Sequence, residues 1–234
     1  AIDAVDNAGA EIFSQVLNSR GVPGYYSLLI VRTDRGFDDF DDVWTERRTV
    51  RFGFGDRSST SGTTVPLYFL FAEAERDSGD FASVRHADHE ENFNDVLQGR
   101  VDVATISSVM LQRFIDRNPT AAEQVKTIWA SPLIPTDPLV WRRDLSTETK
   151  RVVSQFFLQY GKPGPAKTSL QVDAERATLE KIRWAGFKAS SNSQLAYVRV
   201  LTLFAELEAT TTDPSLSDCD RAARIEALER QLQQ

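Results

Sequence analysis

Asp56-Arg-Ser-Ser-Thr-Ser-Gly-Thr-Thr-Val-Pro66 is a run of small hydroxyl and glycine residues between two stretches of different character. Before it, Val50-Arg-Phe-Gly-Phe54 alternates as a strand does; after it, Leu67, Leu70, Phe71 and Ala74 recur at helical spacing. The order strand, hydroxyl-rich loop, helix predicts an α/β arrangement with room for an oxyanion at the helix start. There the first amide N–H groups have no partner within the helix and the positive end of the dipole faces outward. An anion can then accept from backbone and from Ser59, Thr60 and Ser61 together. Pro66 fits a first turn, because it removes an N–H that is unpaired there anyway. The competing reading is an ordinary N-cap in a serine-rich turn.

At 234 residues the chain is long enough for one large α/β domain or two lobes, and 41% apolar with 26% charged residues is ordinary globular composition. No stretch approaches the ~18 uninterrupted apolar residues of a membrane span. The chain opens without Met or a charged-then-apolar leader, as expected where a signal peptide has been removed or omitted. A net charge of −7 argues against nucleic acid and anionic membrane surfaces, so any anion site must be local. Cys219 is the only cysteine, which excludes an internal disulfide and a thiolate-rich metal site and is compatible with a bacterial periplasm.

Outward from the opening stretch, Val5, Ile12, Phe13, Val16 and Leu17 stand at near-helical spacing, and a helix is expected over 3–19, then a turn at Arg20-Gly-Val-Pro-Gly24. Tyr25 to Arg32 reads as a strand buried on both faces, as in a parallel sheet, with Tyr25 and Tyr26 at its mouth. Either ring can serve core packing or a cleft. The acidic cluster Asp38, Asp39, Asp41 and Asp42 lacks the ligand spacing of a calcium loop and reads as a solvated connector.

Phe81 to Arg85 is expected as a short strand, and His86-Ala-Asp-His89-Glu-Glu-Asn92 as the opening of a helix running to about Gln98. His86 and His89 are the only histidines, and without a third ligand at a set spacing they do not make a zinc site. His89 instead falls near a second helix N-terminus, where its ring N–H can join backbone donors aimed at an anion; a surface histidine in a polar cap is the alternative.

A turn and a short buried strand within 99–105, a helix over 109–118 and a strand over 127–130 follow. Ser131-Pro-Leu-Ile-Pro-Thr-Asp-Pro138 then carries three prolines in seven residues, a stiff segment suited to crossing between lobes, and emerges as Leu139-Val-Trp-Arg142. Asp137 either points into the space between lobes or forms the turn. The remainder reads as helices over 146–160, 174–185 and from 189–194 to about Ala209, with a terminal amphipathic helix bearing Ala222, Ile225, Leu228 and Leu232 on one stripe.

Gly24-Tyr-Tyr-Ser-Leu-Leu-Ile-Val-Arg, Gly55-Asp-Arg-Ser-Ser-Thr-Ser-Gly-Thr-Thr-Val-Pro, His89-Glu-Glu-Asn, Gly99-Arg-Val-Asp-Val-Ala, Ile128-Trp-Ala-Ser-Pro-Leu-Ile-Pro-Thr-Asp-Pro-Leu-Val-Trp-Arg and Phe156-Phe-Leu-Gln-Tyr-Gly resemble, in order and spacing, the PhnD-type phosphonate-binding proteins of ABC importers. The resemblance implies a two-lobed α/β fold of the type II periplasmic-binding kind, helices on both faces of each sheet, closing on ligand. It divides the chain into a discontinuous first lobe, 1–33 with 131–212, a second lobe, 34–130, and a helical tail, 213–234. It implies that Ser59, Thr60, Ser61 and His89 hold the phosphonate oxygens, that Tyr25 lines the cleft, and that Asp137 meets the substituent on the phosphonate carbon. The implied partners are a small phosphonate or phosphite and an ABC permease, in the periplasm or lipid-anchored outside the cytoplasmic membrane; separately, the amphipathic terminal helix can pack on a partner, as in a homodimer, or fray into solvent. No cofactor, metal or nucleic acid is implied.

Two departures from the family pattern stand out. Where aminophosphonate-binding members have a glutamate at the helix start after the Val-Asp-x-Ala strand, this chain has Val109, so a smaller or uncharged substituent such as that of methylphosphonate, or phosphite, is expected. The family normally has a strand, a helix and a strand before the position of Ala1, so the first lobe is expected to be short of strands here, whether the sequence is a truncated piece or the lobe is altered. The chain offers no Walker loop, G-x-S-x-G elbow, H-E-x-x-H or cysteine nucleophile. A binding protein without catalysis is therefore the leading reading, with a phosphite or phosphate receptor, a sensor ectodomain and, last, an enzyme on the same fold as alternatives.

Overall fold

The structure is a computed structural model describing residues 1–232. In chain order the elements are α1 (Ile2–Asn7), β1 (Ala10–Asn18), β2 (Gly24–Tyr25), β3 (Ser27–Arg32), α2 (Phe40–Thr45) and β4 (Arg51–Phe54), then two wide helical turns, Thr60–Thr64 and Leu67–Phe71. β5 (Ser83–His86), α3 (His89–Leu97), β6 (Val103–Ser107), α4 (Ser108–Arg117), α5 (Ala121–Gln124), β7 (Val125–Ala130), β8 (Ile134–Pro135) and β9 (Pro138–Arg142) follow. The chain continues with α6 (Thr147–Gln159), α7 (Ser169–Lys181), β10 (Trp184–Ala189), α8 (Leu195–Thr212) and α9 (Asp218–Leu232).

The chain divides into two compact units: Ala1–Tyr25 with Pro135–Arg199, and Tyr26–Ile134 with the residues from Val200 on. This differs from the expected division at both ends. The strand of residues 27–32 lies in the second unit because β3 hydrogen-bonds between β6 and β7 there. The terminal helix also groups with the second unit, and Leu228 on its stripe is only 6% exposed. Residues 233 and 234 of the expected tail, and the side chain of Leu232, lie outside the described residues.

In the first unit a three-stranded antiparallel sheet has the order β10-β1-β9. The helix expected over 3–19 is thereby corrected: only Ile2–Asn7 is helical, and Ala10–Asn18 is the central strand. Gly9, at φ 63°, ends the helix, and the run Ile12-Phe-Ser-Gln-Val16 is buried on both sides between two partner strands. Near-helical spacing and a two-faced buried strand cannot be separated over so short a stretch. The end of the helix expected over 174–185 is likewise corrected, since Trp184 and Ala185 begin β10. Phe13 stacks on Trp141 at 4.1 Å, and Val16, Leu179 and Phe187 form a small core.

The second unit is built on a five-stranded sheet, order β5-β4-β6-β3-β7. β4 runs parallel to β5 and β6, whereas β3 runs antiparallel to β6 and β7. The expected parallel surroundings of β3 are therefore corrected, although its two-faced burial holds. Leu29 and Val31 enter a core with Phe37, Val43, Phe52 and Phe71, while Ile30 enters the opposite core with Phe93, Val96 and Phe114. Helices on both faces bury such a strand whichever way it runs. Since β3 alone is reversed, β4, β5, β6 and β7 all deliver their carboxyl ends to one edge of the sheet.

Candidate functional site

That edge is where ligands gather in open α/β sheets, because loops and helix N-termini follow the strand ends there. Beyond β4, the Gly55 N–H donates to the Gly62 carbonyl at 2.7 Å and to Thr105 Oγ1 at 3.1 Å. Thr105 Oγ1 in turn donates to the Gly62 carbonyl at 2.6 Å, and Ser27 Oγ to the Ser61 carbonyl at 2.6 Å. Thr63 Oγ1 lies 2.9 Å from the Gly55 carbonyl and 2.8 Å from that of Asp56. The loop is thus pinned through its carbonyls, and the Gly55, Ser59, Gly62, Thr63 and Thr64 N–H groups are bonded as well.

Ser59 caps the segment, its Oγ accepting from the Gly62 N–H at 3.0 Å. Its carbonyl accepts from both Thr63 and Thr64, at 3.0 and 3.1 Å, so the first turn is wider than an α-turn, a feature frequent at functional sites. The Thr60 and Ser61 N–H groups have no acceptor among the described residues. Ser61 is buried and Thr60 exposed. The cap reading and the anion reading are therefore compatible here: Ser59 caps, and two amides remain free.

β5 lies against β4, and the Ala87 N–H donates to the Phe54 carbonyl at 3.0 Å, bringing the start of α3 to the same edge. Asp88 caps that helix, accepting from the Glu91 N–H at 2.8 Å. His89 follows, half-buried, its Nδ1 buried without a partner among the described residues. Burial holds the imidazole below its ordinary value of 6.5, and the carboxylates of Asp56 and Asp88 pull the other way. His86 has a different role: its Nδ1 lies 2.9 Å from the Gly55 carbonyl and its ring stacks on Phe54. No group of three or more His, Cys, Asp or Glu suited to a metal occurs among the described residues.

Ser59, Thr60, Ser61 and His89 thus share one edge of the second unit. Tyr25 and Asp137 belong to the first unit. Tyr25 is half-buried in β2, and Asp137 is exposed between β8 and β9. The Asp137 backbone is fixed by β1, since its carbonyl accepts from the Val16 N–H at 3.2 Å and the neighbouring Thr136 N–H donates to Pro23 at 3.1 Å. Sequence reasoning missed three supports of this edge: Ser27, Thr105, and Ser131, whose Oγ accepts from the Ser27 N–H at 3.0 Å. The signal available for them was a hydroxyl standing in or beside an apolar strand.

A depressed imidazole pKa destabilises the fold in acid, because the unfolded chain takes up the proton first. This contribution to stability is present above pH 6.5 and is lost as pH falls through the lower folded value. In urea unfolding, His89→Gln is expected to reduce the loss of stability below pH 6.5. A bound oxyanion would instead favour the imidazolium, so binding near pH 6 should take up more protons in the wild type than in His89→Gln. Calorimetry in buffers of different ionisation enthalpy measures this; equal uptake would remove His89 from the anion's surroundings.

Residues 1–195 match the family model described as ABC transporter, phosphonate, periplasmic substrate-binding protein. The chain is 38% identical over 232 residues to the phosphonates-binding periplasmic protein of Escherichia coli, covering 99% of this chain and 66% of that protein. It thus spans about two thirds of the length of that relative. The crystal structure of a binding-protein component of an ABC phosphonate transporter from Pseudomonas aeruginosa matches at 37% identity and TM-score 0.69, covering 100% of this chain and 74% of the other. PhnD1 from Prochlorococcus marinus, in complex with methylphosphonate, matches at 15% identity and TM-score 0.60, over 85% of this chain and 72% of that one, and bears on the fold alone. The fold, the linked motifs and the family match agree: the chain belongs to the periplasmic substrate-binding proteins of ABC phosphonate transporters.

Proposed function

We propose that this chain is the substrate-binding component of an ABC importer, taking a phosphonate or similar small phosphorus oxyanion and delivering it to the membrane permease. One observation carries the reading at residue level. Two unbonded amides, at Thr60 and Ser61, share a sheet edge with a half-buried imidazole whose Nδ1 has no partner among the described residues. In this proposal Ser59, Thr60, Ser61 and His89 donate to the phosphorus oxygens, Tyr25 lines the pocket, and Asp137 meets the substituent. Each charge-assisted hydrogen bond contributes roughly 1.5 to 3 kcal/mol. Three or four approach the ~8 kcal/mol of a micromolar complex before association costs are subtracted.

Calorimetry on protein stripped of carried ligand by unfolding and refolding tests the reading, with methylphosphonate, phosphite, phosphate and 2-aminoethylphosphonate as ligands. Tight binding of one of these, weakened at least about tenfold by His89→Ala, is expected. Absence of binding to all four would refute the proposal. A phosphite or phosphate receptor is the second reading, favoured by Val109 at the first turn of α4, where no acidic residue stands. No turnover of methylphosphonate is expected, which sets this reading apart from an enzyme.

The family is periplasmic, and no described helix is long and apolar enough to cross a membrane. Our finer placement is the periplasm, free or lipid-anchored. The homodimer through the C-terminal helix also remains a proposal, and it narrows to the exposed Ala222 and half-buried Ile225, because Leu228 is covered within the second unit. Ile225→Glu should convert a dimer to a monomer in light scattering; a wild type already monomeric at high concentration would end that proposal.

A further inference from the structure

Three residues beyond His89, on the same face of α3, stands Asn92, which is 0% exposed. Its Nδ2 donates to the Phe54 carbonyl at 2.9 Å and to the Thr105 carbonyl at 3.2 Å. Phe54 is the last residue of β4, and Thr105 lies in β6 just ahead of Ser107, which caps α4. The register of β4 with β6 runs to Gly53 and Ala104, so the amide spans the two strands one residue beyond the end of their ladder. A carboxamide NH2 offers two hydrogens in a fixed plane, and the flipped amide would set oxygen against two oxygens. In this orientation Oδ1 is left buried without a partner among the described residues. A Cβ added at Gly53 would come within 2.9 Å of that oxygen, so the glycine leaves room for it.

We propose that Asn92 is a positioning residue for the anion site, setting where His89 stands relative to the Thr60 and Ser61 amides. The inference rests on reading this edge as the phosphonate site. Asn92 reaches both supports of the hydroxyl loop: the Phe54 carbonyl leads directly into Gly55, and Thr105 holds Gly55 and Gly62 through its hydroxyl. The same side chain belongs to the helix that carries the imidazole. One amide therefore ties together the two elements that supply the proposed donors.

The test compares Asn92→Asp, Asn92→Ser and the control Val96→Ala in the full chain. Val96 is fully buried on the same helix, and the control removes buried volume without touching either carbonyl. A carboxylate at position 92 has no hydrogen to give, whereas its protonated form has one. For methylphosphonate, measured well below each melting temperature, Asn92→Asp should raise Kd at least 30-fold at pH 8. At pH 5.5 it should recover at least fivefold relative to wild type. Asn92→Ser should weaken binding without such recovery, and Val96→Ala should lower the melting temperature with Kd within threefold. In ligand-free protein, the His89 ring resonances and the amide exchange of Gly55 and Gly62 should change in both Asn92 variants and not in Val96→Ala. Asn92 variants that bind within threefold of wild type, or a Val96→Ala that matches their loss, would overturn the proposal. If the wild type binds no phosphonate, the functional reading fails, and the ligand-free spectra alone decide the role of Asn92: unchanged His89, Gly55 and Gly62 signals sink it.

Discussion

Gly62→Ala is expected to weaken methylphosphonate binding at least about 100-fold while leaving most of the fold intact. A Cβ at Gly62 would meet the Gly55 Cα at 2.7 Å and Ser59 Oγ at 2.8 Å. The first is backbone and the second is the cap of the helical segment, so neither moves aside as the tip of a flexible side chain would. Relief requires lengthening the 2.7 Å bond from the Gly55 N–H to the Gly62 carbonyl, and the Thr105 hydroxyl bond at 2.6 Å to that carbonyl moves with it. The Thr60 and Ser61 amides are carried along. Losing two charge-assisted hydrogen bonds of roughly 1.5 kcal/mol each corresponds to about 100-fold in affinity. Overpacking itself costs about 1 to 3 kcal/mol of stability, which urea unfolding would register. Gly164→Ala, where an added Cβ meets nothing within 4 Å, serves as the control and should alter neither quantity. Gly62→Ala protein that binds within threefold of wild type would detach the loop from the ligand.

The hydroxyl stretch was legible because its chemistry is local: caps, amides and small residues act within a few positions of themselves. Burial of Leu29, Ile30 and Val31 was legible for the same reason, since an unbroken apolar run has to be covered on both faces. The direction of β3 was not, because strand direction is decided by partners some 75 to 100 residues away, at Val103–Ser107 and Val125–Ala130. The strand at Ala10–Asn18 was misread because β9 and β10, which pair with its two edges, lie more than 100 residues further on, and so do most of the residues that cover its faces, among them Leu179 and Leu195. Asn92 and Thr105 were unreadable as site supports for a related reason. An asparagine inside a helix and a threonine inside a strand acquire meaning only when carbonyls from other elements are brought to them.

An aminoethyl ligand is expected to bind this protein no more tightly than methylphosphonate, and Val109→Glu is expected to reverse that order. Val109 is the second residue of α4 and 37% exposed, on a helix start held at the sheet edge by the Ser108 Oγ, which accepts from the Tyr26 N–H at 3.0 Å. Ser107 caps the same turn, accepting from the Met110 N–H at 3.2 Å. A glutamate there should not harm the fold, because a carboxylate in a first turn gains about 0.3 to 1 kcal/mol from the helix dipole. With valine present, an ammonium brought to this position exchanges its water for methyl groups, a desolvation cost that the contact proposed for Asp137 would have to offset. With glutamate present, an ammonium about 4 Å away gains up to about 4 kcal/mol at the effective dielectric of a partly exposed site, less its own desolvation. A net gain of about 1.4 kcal/mol would already be tenfold in the ratio of the two dissociation constants, while methylphosphonate should change little or weaken. Calorimetry with the two ligands on the two proteins checks both halves of the argument. A large preference for the amine in the wild type would show that Asp137 suffices alone. A ratio left unmoved by Val109→Glu would show that the start of α4 takes no part in reading the substituent.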